Sequence, residues 1–437
     1  MMMSMYSAVS GLRSQQTKLN VIGNNIANIN TVGYKSQKVG FSDLLSQNIG
    51  SASAGSGNRG GMNAKQIGLG TQVSSIEMVM KPGSTQYTGS DTDVALGGEG
   101  MFVVQGGGSG KYQYTRAGNF GVDTVGNLVV NGLKVCGYDY NPTTKKYGTD
   151  VSALNLFANG KYTLASTTTT KASLQGNLDN SKSTSTNPAT VTSTLTVYDS
   201  QGTAHDTTVT FTNIVSGTPA APTNQWTITA STTGAGWSAA PSITPATTPV
   251  NTVTFDPTTG KMSLPVSNAL SLVFTGPGGG ATVGTTGGIV SVDMSGIYGY
   301  TSSTGSSTIK VADIDGYAAG TLQNYAIGAD GVITGSYSNG QKQPLGMLSV
   351  ATFANTAGLE KIGDNLYVPS VNSGAISYQQ PGTGQASKLT TGALEMSNVD
   401  LANEFSEMMI TQRAYQANGK IITTSDTLME TLINLSR

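Results

Sequence analysis

The sequence has very little of the residues that build metal sites and hydrolase active sites. Its 437 residues include one cysteine, Cys136, and one histidine, His205. A single cysteine excludes an intrachain disulfide, and one histidine supplies only one of the about four ligands that a structural zinc ion needs. A Ser-His-Asp triad would also have to be built on His205. We therefore expect no catalytic residues, no bound metal and no cofactor.

Charged residues and long apolar runs are scarce as well. Only 11% of the residues are charged and the formal net charge is -1, whereas about 25% charged residues is usual in globular domains. No apolar run reaches the ~18 residues of a membrane-spanning helix, and the first residues lack the basic and apolar regions of a cleaved secretory signal. We expect no nucleic-acid binding and no membrane insertion, and any export would use a route without a cleaved signal peptide.

Glycine, serine and threonine are abundant instead, and the interior of the chain predicts β structure. Alternating apolar residues around a turn at 199–202 predict a hairpin over 193–211, and Asp330-Gly331 and Asn339-Gly340 are typical hairpin turns. The Gly/Ser-rich stretch 48–64 is interpreted as a linker or an adaptable loop. The Thr/Ser/Pro-rich stretch 215–250 is typical of an exposed insertion.

Both ends of the chain predict helices. From Met5 to Ile29, apolar or small residues recur with a seven-residue spacing. Near the other end, one of Ser397, Asn398 and Asp400 is expected to cap a long helix that contains no proline. Two apolar stripes run along this helix, and so wide an apolar face predicts more than one neighbour. The alternative is that both helices pack only on the body of their own subunit.

The stretch "NNIANINTVGYK" at 24–35 ends the first helical pattern with four asparagines. Asparagine side chains end helices and hydrogen-bond to nearby backbones, and we expect these to make contacts between subunits. An ordinary helix C-terminus is the alternative. Arg413 either pairs with an acid of a neighbour or is a solvated or channel-facing charge. Cys136 is interpreted as a small buried residue, and His205 as a structural contact in a hairpin.

Several segments together resemble the bacterial flagellar rod and hook family. They are "NNIANINTVGYK" at 24–35, "YTRAGNF" at 114–120, "DGYAAGTL" at 315–322, "YSNGQ" at 337–341 and the C-terminal block 392–435. The resemblance is weakest at about 213–290. The distal rod proteins of this family are shorter, so the central insertion, with "VYDSQGTAH" at 197–205, favours the hook branch.

The resemblance implies an α+β, mainly β fold in which the terminal helices pair like a coiled coil. It implies a terminal helical domain of residues 1–30 and 396–437 (D0, inner tube) and a linker or adaptable segment at 31–75. A β-rich domain D1 would comprise 76–150 and 291–395, and an outer β-rich insertion domain D2 would comprise 151–290. Covalent cross-linking of hook subunits through cysteine and lysine, known in some relatives, is the less favoured role of Cys136.

The implied function is structural and not enzymatic: a subunit of a hollow, curved, flexible tube, the hook, which transmits motor torque as a universal joint. The implied partners are further copies of the chain, rod and hook–filament junction proteins, the hook cap during assembly and the flagellar type III export apparatus. The implied location is extracellular. The residues expected to contact other subunits are Leu12, Leu19, Ile22, Asn24, Asn25, Ile26, Asn28, Leu401, Phe405, Ile410, Arg413, Tyr415, Ile422, Leu428 and Leu432. The alternatives are a distal rod-type axial protein, a secreted β-rich adhesin and a secreted enzyme.

Overall fold

The computed structural model divides the chain into two compact units. The described residues are 2–55, 57, 60–106, 111–158, 160–179, 181, 183, 187–216, 221–233, 242–244, 251–264, 269–274, 283–284, 288–301, 305–384 and 386–435. The first unit comprises Met1–Asn159, Asn324–Gly335 and Gln343–Arg437, and the second comprises Gly160–Gln323 and Ser336–Lys342. The fold is mainly β with a helix at each end of the described chain, as expected.

Both terminal helices belong to the first unit, and both form where the sequence predicts them. Helix α1 spans Met2–Ala27 and ends inside the asparagine-rich stretch. Helix α2 spans Leu401–Leu435. The Asp400 carboxylate caps α2, because its Oδ1 accepts hydrogen bonds from the backbone N–H groups of Ala402 (3.0 Å) and Asn403 (3.3 Å). In the described residues, neither helix is apolar enough over a sufficient length to cross a membrane.

The strands that follow α1 begin with a hairpin that the sequence did not predict. The strands are β1 Gln37–Asp43, β2 Ser46–Gly50, β3 Lys65–Gly68, β4 Thr71–Met78, β5 Thr85–Tyr87, β6 Val94–Leu96, β7 Met101–Gln105, β8 Tyr112–Thr115, β9 Gly121–Val122, β10 Leu128–Val130, β11 Leu133–Asn141 and β12 Lys146–Ala153. Strand β1 pairs antiparallel with β4, and β2 pairs with β3. We call residues 37–78 the hairpin arm. Its register places Val39 opposite Ile76 and Phe41 opposite Val73, an apolar pairing that the Gly/Ser-rich tip obscures in the sequence.

The second unit carries its own core between two described five-stranded sheets. Its strands are β13 Thr163–Leu164, β14 Lys171–Asn177, β15 Thr190–Tyr198, β16 Ala204–Ser216, β17 Ala221–Thr233, β18 Ser242–Thr244, β19 Thr252–Phe255, β20 Met262–Leu264, β21 Ala269–Val273, β22 Ile289–Tyr298 and β23 Lys310–Ile314. One sheet has the order β18-β21-β22-β14-β23, and the other has the order β15-β16-β17-β19-β20. Phe211 and Trp226 from one sheet and Leu272 and Val292 from the other lie in one buried cluster.

The hairpin predicted over 193–211 is confirmed by the antiparallel pairing of β15 and β16. His205 makes a structural contact, as expected, since its Nε2 lies 3.1 Å from Asp199 Oδ2 at the hairpin turn. Within the predicted exposed insertion 215–250, strand β17 is described, and residues 217–220, 234–241 and 245–250 lie outside the described residues.

The remaining strands return the chain to α2. They are β24 Gly320–Ile327, β25 Val332–Tyr337, β26 Lys342–Leu348, β27 Val350–Phe353, β28 Glu360–Gly363, β29 Leu366–Val368, β30 Ile376–Gln379, β31 Leu389–Thr391 and β32 Ala393–Glu395, with a short 3-10 helix at Thr356–Gly358. Both predicted turns are present, because Gly331 N–H donates to Gly328 O and Gly340 N–H donates to Tyr337 O, each at 2.9 Å. In the first unit, Cys136 on β11 is fully buried beside Met101 and Tyr367, as expected.

Candidate functional site

The two terminal helices pack against each other in antiparallel fashion. At one end of the pair, Asn25 Nδ2 donates a hydrogen bond to Glu404 Oε1 at 3.0 Å. Farther along, Gly11 lies so close to Asn418 that a Cβ added at Gly11 would come within 2.7 Å of the Asn418 amide nitrogen. The predicted pairing of the chain ends therefore occurs within one copy, and a side chain at position 11 would require the Asn418 side chain to move.

Small side chains form the contact between the helices. On α1, Ala8 is buried. Among the described residues of α2, only Thr411 and Ser425 are buried. The Thr411 hydroxyl donates to Glu407 O at 2.7 Å, so its polar atom has a partner inside the helix. We call this contact the small-residue seam. On the α2 side this contact buries only small side chains, so the large apolar side chains of α2 lie outside it.

Helix α2 therefore exposes most of its large apolar side chains. These residues are between 39% and 83% exposed: Leu401, Phe405, Met409, Ile410, Tyr415, Ile421, Leu428, Met429, Leu432, Ile433 and Leu435. Large contiguous apolar surfaces on soluble proteins typically mark interaction sites. The alternative in which both helices bury their apolar stripes on the body of their own subunit does not describe this chain.

The residues predicted to contact other subunits fall into three groups by burial. Ile22 and Asn25 are buried inside this chain. The half-buried group is Leu12, Leu19, Ile26, Asn28 and Ile422, and the exposed group is Asn24, Leu401, Phe405, Ile410, Arg413, Tyr415, Leu428 and Leu432. In the described residues, Arg413 pairs with no acid, and its Nη1 lies 3.5 Å from Gln416 Oε1. Contact with other subunits stays a prediction for all of these residues.

Asn25 has an internal role that the sequence did not reveal. Its Nδ2 donates to Gln37 O at 2.9 Å and to Glu404 Oε1, while its Oδ1 accepts from Gln37 N–H at 3.0 Å and from the Tyr34 hydroxyl at 3.2 Å. The side chain is only 1% exposed. Asn25 thus joins α1 to the start of β1 and to the first turn of α2. Burial raises the pKa of the Glu404 carboxyl that it contacts, and the hydrogen bond from Asn25 opposes this change.

Three buried charges lie at the base of the helix pair. Lys35 Nζ is 2.7 Å from Glu395 Oε1, and Arg116 Nη1 is 3.1 Å from Glu395 Oε2. All three side chains are at most 2% exposed. We call Lys35, Arg116 and Glu395 the charged cluster. Charges this deeply buried are tolerated only when they are paired and hydrogen-bonded.

Backbone groups supply further hydrogen bonds to the charged cluster, although Arg116 Nε has no hydrogen-bond partner among the described residues. Lys35 Nζ also donates to Lys81 O at 2.8 Å, and Arg116 Nη2 donates to Gly98 O at 2.6 Å. Glu395 Oε1 accepts a further hydrogen bond from the backbone N–H of Gly83 at 3.0 Å. Burial lowers the pKa of Lys35, the nearby charge of Arg116 lowers it further, and Glu395 opposes both effects. The cluster holds two cations and one anion, so its stability depends on the single carboxylate.

Gly33 brings the chain segment after α1 onto this cluster. Its backbone has φ +69°, a conformation that favours glycine, and an added Cβ would come within 2.8 Å of Arg116 C. The Gly33 N–H donates to Glu395 O at 2.8 Å. The chain that leaves α1 and the chain that enters α2 are thereby held together at the same place.

Sequence reasoning missed the charged cluster, although a signal for it exists. Lys35, Arg116 and Glu395 come from three of the segments that resemble the flagellar family, "NNIANINTVGYK", "YTRAGNF" and "GALEMSN". Lys35 and Arg116 are each the one charged residue of their segment, whereas Glu395 is the first of several charged residues in the C-terminal block 392–435. Opposite charges isolated in separate recognisable segments are candidates for pairing in space. In the described residues, no group of three or more His, Cys, Asp and Glu is arranged to hold a metal ion.

Four family models match the chain, and all are named for flagellar proteins. They are "Flagella basal body rod protein" over residues 5–35, "Flagellar hook protein FlgE/F/G D1 domain" over 95–144, "Flagellar basal body protein FlaE D2 domain" over 140–317 and "Flagellar basal body rod FlgEFG protein C-terminal" over 390–435. The first and last models cover most of α1 and all of α2.

Individual relatives align over their whole length. The flagellar hook protein FlgE of Treponema pallidum is 36% identical over 100% of both chains, and that of Salmonella typhimurium is 35% identical over 99% of this chain and 100% of its own. The flagellar basal-body rod protein FlgG of Bacillus subtilis is 30% identical over 100% of both chains, so length alone does not separate hook from rod proteins. The crystal structure of Helicobacter pylori flagellar hook protein FlgE2 matches with a TM-score of 0.48 and 14% identity, over 71% of this chain and 100% of that chain.

Proposed function

This chain belongs to the flagellar hook protein family and is a structural subunit of the bacterial flagellar hook, and from this we propose that its copies polymerise into a tube. The tube is hollow, curved and flexible, transmits torque from the rod to the filament, and lets exported subunits pass. The observation that carries this proposal is the row of exposed apolar side chains on α2. Full burial of a fully exposed side chain of this kind is worth about 1.5–3 kcal/mol. These side chains are 39–83% exposed in the lone copy, so burial in an assembly would stabilise it by roughly half of that for each one.

The proposed arrangement assigns each region of the chain to a layer of the tube. Residues 1–30 and 396–437 form the inner helical domain D0, and 31–75 form an adaptable segment. Residues 76–150 and 291–395 form D1, and 151–290 form the outer domain D2. The helical character of both chain ends supports the inner domain. The separate core of the second unit supports an insertion domain, and that core also takes in Val292 and Met294 of β22.

The proposed partners are those of a hook subunit. They are further copies of this chain, rod and hook–filament junction proteins, the hook cap during assembly and the type III export apparatus. The chain leaves the cell through that apparatus, acts outside the cell and catalyses no reaction. The family findings support these roles over a secreted adhesin or enzyme, because the relatives that align over the full chain are flagellar hook proteins.

Immunogold electron microscopy of the source bacterium tests the location and the outer position of D2 together. The antibody is raised against residues 151–290, which would form D2. We expect gold along a short curved segment between the cell body and the filament. Gold elsewhere on the cell surface, or labelling of the segment only after the outer layer is stripped, would contradict the proposal.

Polymerisation is tested on the purified full chain with a matched pair of variants. Ile410→Asp places a charge on the most exposed apolar side chain in the middle of α2, which is 67% exposed. Gln412→Asp introduces the same charge at an exposed polar position two residues away. We expect electron microscopy and sedimentation to show tubes for the wild type and for Gln412→Asp, and fewer or none for Ile410→Asp. Equal assembly by all three would argue against α2 as the assembly surface.

A further inference from the structure

A groove between α1 and the hairpin arm is open on the surface of the first unit. Its volume is about 510 Å³, and Tyr6, Val9 and Arg13 of α1 and Leu44, Leu69 and Val73 of the arm line it. Tyr6, Val9 and Leu44 are exposed apolar residues. The helix α2 of the same chain lies elsewhere on α1, against Gly11 and Asn25. The groove is therefore a mixed surface without a covering element among the described residues. Its apolar side chains lie beside the polar side chains of Ser10, Ser14, Thr17, Thr71 and Gln72.

The end of α2 carries an apolar surface of matching kind. Four residues of α2 at seven-residue spacing, Glu404, Thr411, Asn418 and Ser425, contact α1 or are buried. The next position in this heptad spacing is Leu432, which is 49% exposed. The face that is small and polar against its own α1 thus becomes apolar at Leu428–Leu435, where all the described residues are exposed.

The register of the helix pair explains this exposure. Asn25 faces Glu404 and Gly11 faces Asn418, so the start of α1 at Met2 lies at the level of about Thr427. Beyond this level, the described part of α1 offers α2 no contact. The apolar positions at the end of α2 therefore have no α1 residue to pack against in their own copy.

The charges of the two surfaces are complementary. Arg13 is the one charged residue that lines the groove, and it forms no ion pair within the described residues. Between Ile421 and Leu435, α2 has two acids, Asp426 and Glu430, and no basic residue. These acids are four residues apart and so lie on one side of the helix, beside the apolar positions.

We propose that the end of α2 of one copy, Leu428–Leu435, docks into the groove of a second copy. Met429 and Leu432 pack against Val9 and Leu44, and the acids of α2 face Arg13. This inference rests on the proposed polymerisation and names the two surfaces that meet in it. Because the groove and the helix end are different surfaces, the contact is heterologous and generates an open helical assembly rather than a closed dimer.

The size of the contact sets the expected effect of breaking it. A stable standard interface buries about 1,200–2,000 Å² in total, and two turns of helix supply only part of that area. The docked helix end therefore acts together with other contacts between copies. We expect loss of this contact to raise the protein concentration needed for assembly, and not to unfold the chain.

Charge reversal on either surface tests the contact in the full-length protein. One preparation carries Arg13→Glu, and the other carries Asp426→Arg with Glu430→Arg. We expect each alone to need roughly tenfold more protein to polymerise, as measured by sedimentation and electron microscopy, because like charges then meet at the contact. An equimolar mixture should assemble near the wild-type concentration, since each altered surface then has an oppositely charged partner. Lys65→Glu, on the exposed face of the arm outside the groove, is the control and should assemble like the wild type.

A disulfide experiment gives a second measurement that does not depend on charge. A Val9→Cys copy mixed with a Leu432→Cys copy should form a cross-linked pair on oxidation, while the buried Cys136 stays unreactive. The contact is refuted if each charge-reversed protein alone assembles like the wild type. It is also refuted if the mixture does not assemble near the wild-type concentration and no cross-linked pair forms. Either result leaves the proposed polymerisation in place. Absence of tubes from the wild type would instead overturn the proposed function, and this inference with it.

Discussion

Glu395→Gln is the substitution that most directly tests the charged cluster. It keeps the size of the side chain but removes the one anion that faces Lys35 and Arg116. Breaking a buried ion pair by removing one partner costs about 3–5 kcal/mol, because the remaining charge is left unpaired. Two cations lose their partner here, but burial already lowers the pKa of Lys35, so this lysine can release its proton and limit the cost. We therefore expect a loss of about 3–5 kcal/mol rather than twice that amount.

The first unit contains its own reporter for this measurement. Cys136 is the one thiol of the chain, is fully buried in the first unit, and reacts only when that unit opens. Trp226, buried in the second unit, reports on that unit by fluorescence and serves as an internal comparison. Thiol labelling during a temperature series should give a midpoint for Glu395→Gln that is roughly 6–20 °C lower than for the wild type.

The stability loss caused by Glu395→Gln should depend on pH, and the direction of that dependence follows from the pKa of Lys35. Since the pKa of Lys35 is lowered in the folded chain, the unfolded chain holds more protons between the folded and unfolded pKa values, and stability rises with pH across that interval. In Glu395→Gln the pKa of Lys35 falls further. The free energy of unfolding that the variant loses relative to the wild type should therefore be smaller at about pH 9 than at about pH 7.

Glu360→Gln, at an exposed glutamate of the same unit, is the matched control and should change stability by less than about 0.5 kcal/mol. Equal labelling midpoints for the two variants would refute the reasoning, because the cluster would then contribute no more than a surface charge.

Three further predictions concern the base of the helix pair and the core. Asn25→Ala should destabilise the first unit by about 1–3 kcal/mol in the same labelling assay, whereas Asn24→Ala at the exposed neighbouring position should cost less than about 0.5 kcal/mol. Glu404→Gln can still accept from Asn25 and avoids a partly buried charge; because burial raises the pKa of Glu404, it should stabilise slightly near pH 7, and this gain should vanish as Glu404 becomes protonated in acid. Burial raises the pKa of Cys136 to about 12, so a thiol reagent at about pH 8 should label the folded chain far more slowly than the denatured chain, and rapid labelling of the folded chain would contradict its burial.

Local patterns in the sequence were sufficient for the elements whose signals lie within a few residues. Asp400 caps α2 and the Asn339-Gly340 turn forms because capping and turn chemistry act over two to four residues. The charged cluster depends instead on Lys35, Arg116 and Glu395, which are far apart in sequence and meet only through the tertiary fold. The periodicity of a sequence does not predict a contact between residues that are so far apart in the chain.

The candidate site shows the same limit at Asn25. The sequence correctly indicates that asparagines end α1, but it does not distinguish the exposed Asn24 from the buried Asn25. The difference arises from the tertiary contacts of Asn25, since Tyr34, Gln37 and Glu404 surround its side chain. The sequence did not predict the hairpin arm for a different reason. The Gly/Ser-rich residues at its tip indicate a linker, and they hide the strands β2 and β3 that pair on either side of the tip.

The small-residue seam gives the helix pair a mechanical character that differs from that of an interlocked coiled coil. Large knobs in holes fix two helices along their whole length, whereas side chains as short as Ala8 and Thr411 offer little steric resistance to an axial shift. The polar contacts are concentrated at the base, where Lys18 Nζ lies 2.9 Å from Glu407 Oε2 and Asn25 contacts Glu404. The helix pair is therefore tied by polar contacts at its base, and we expect an axial shift of the two helices to meet less resistance toward its other end than at this base.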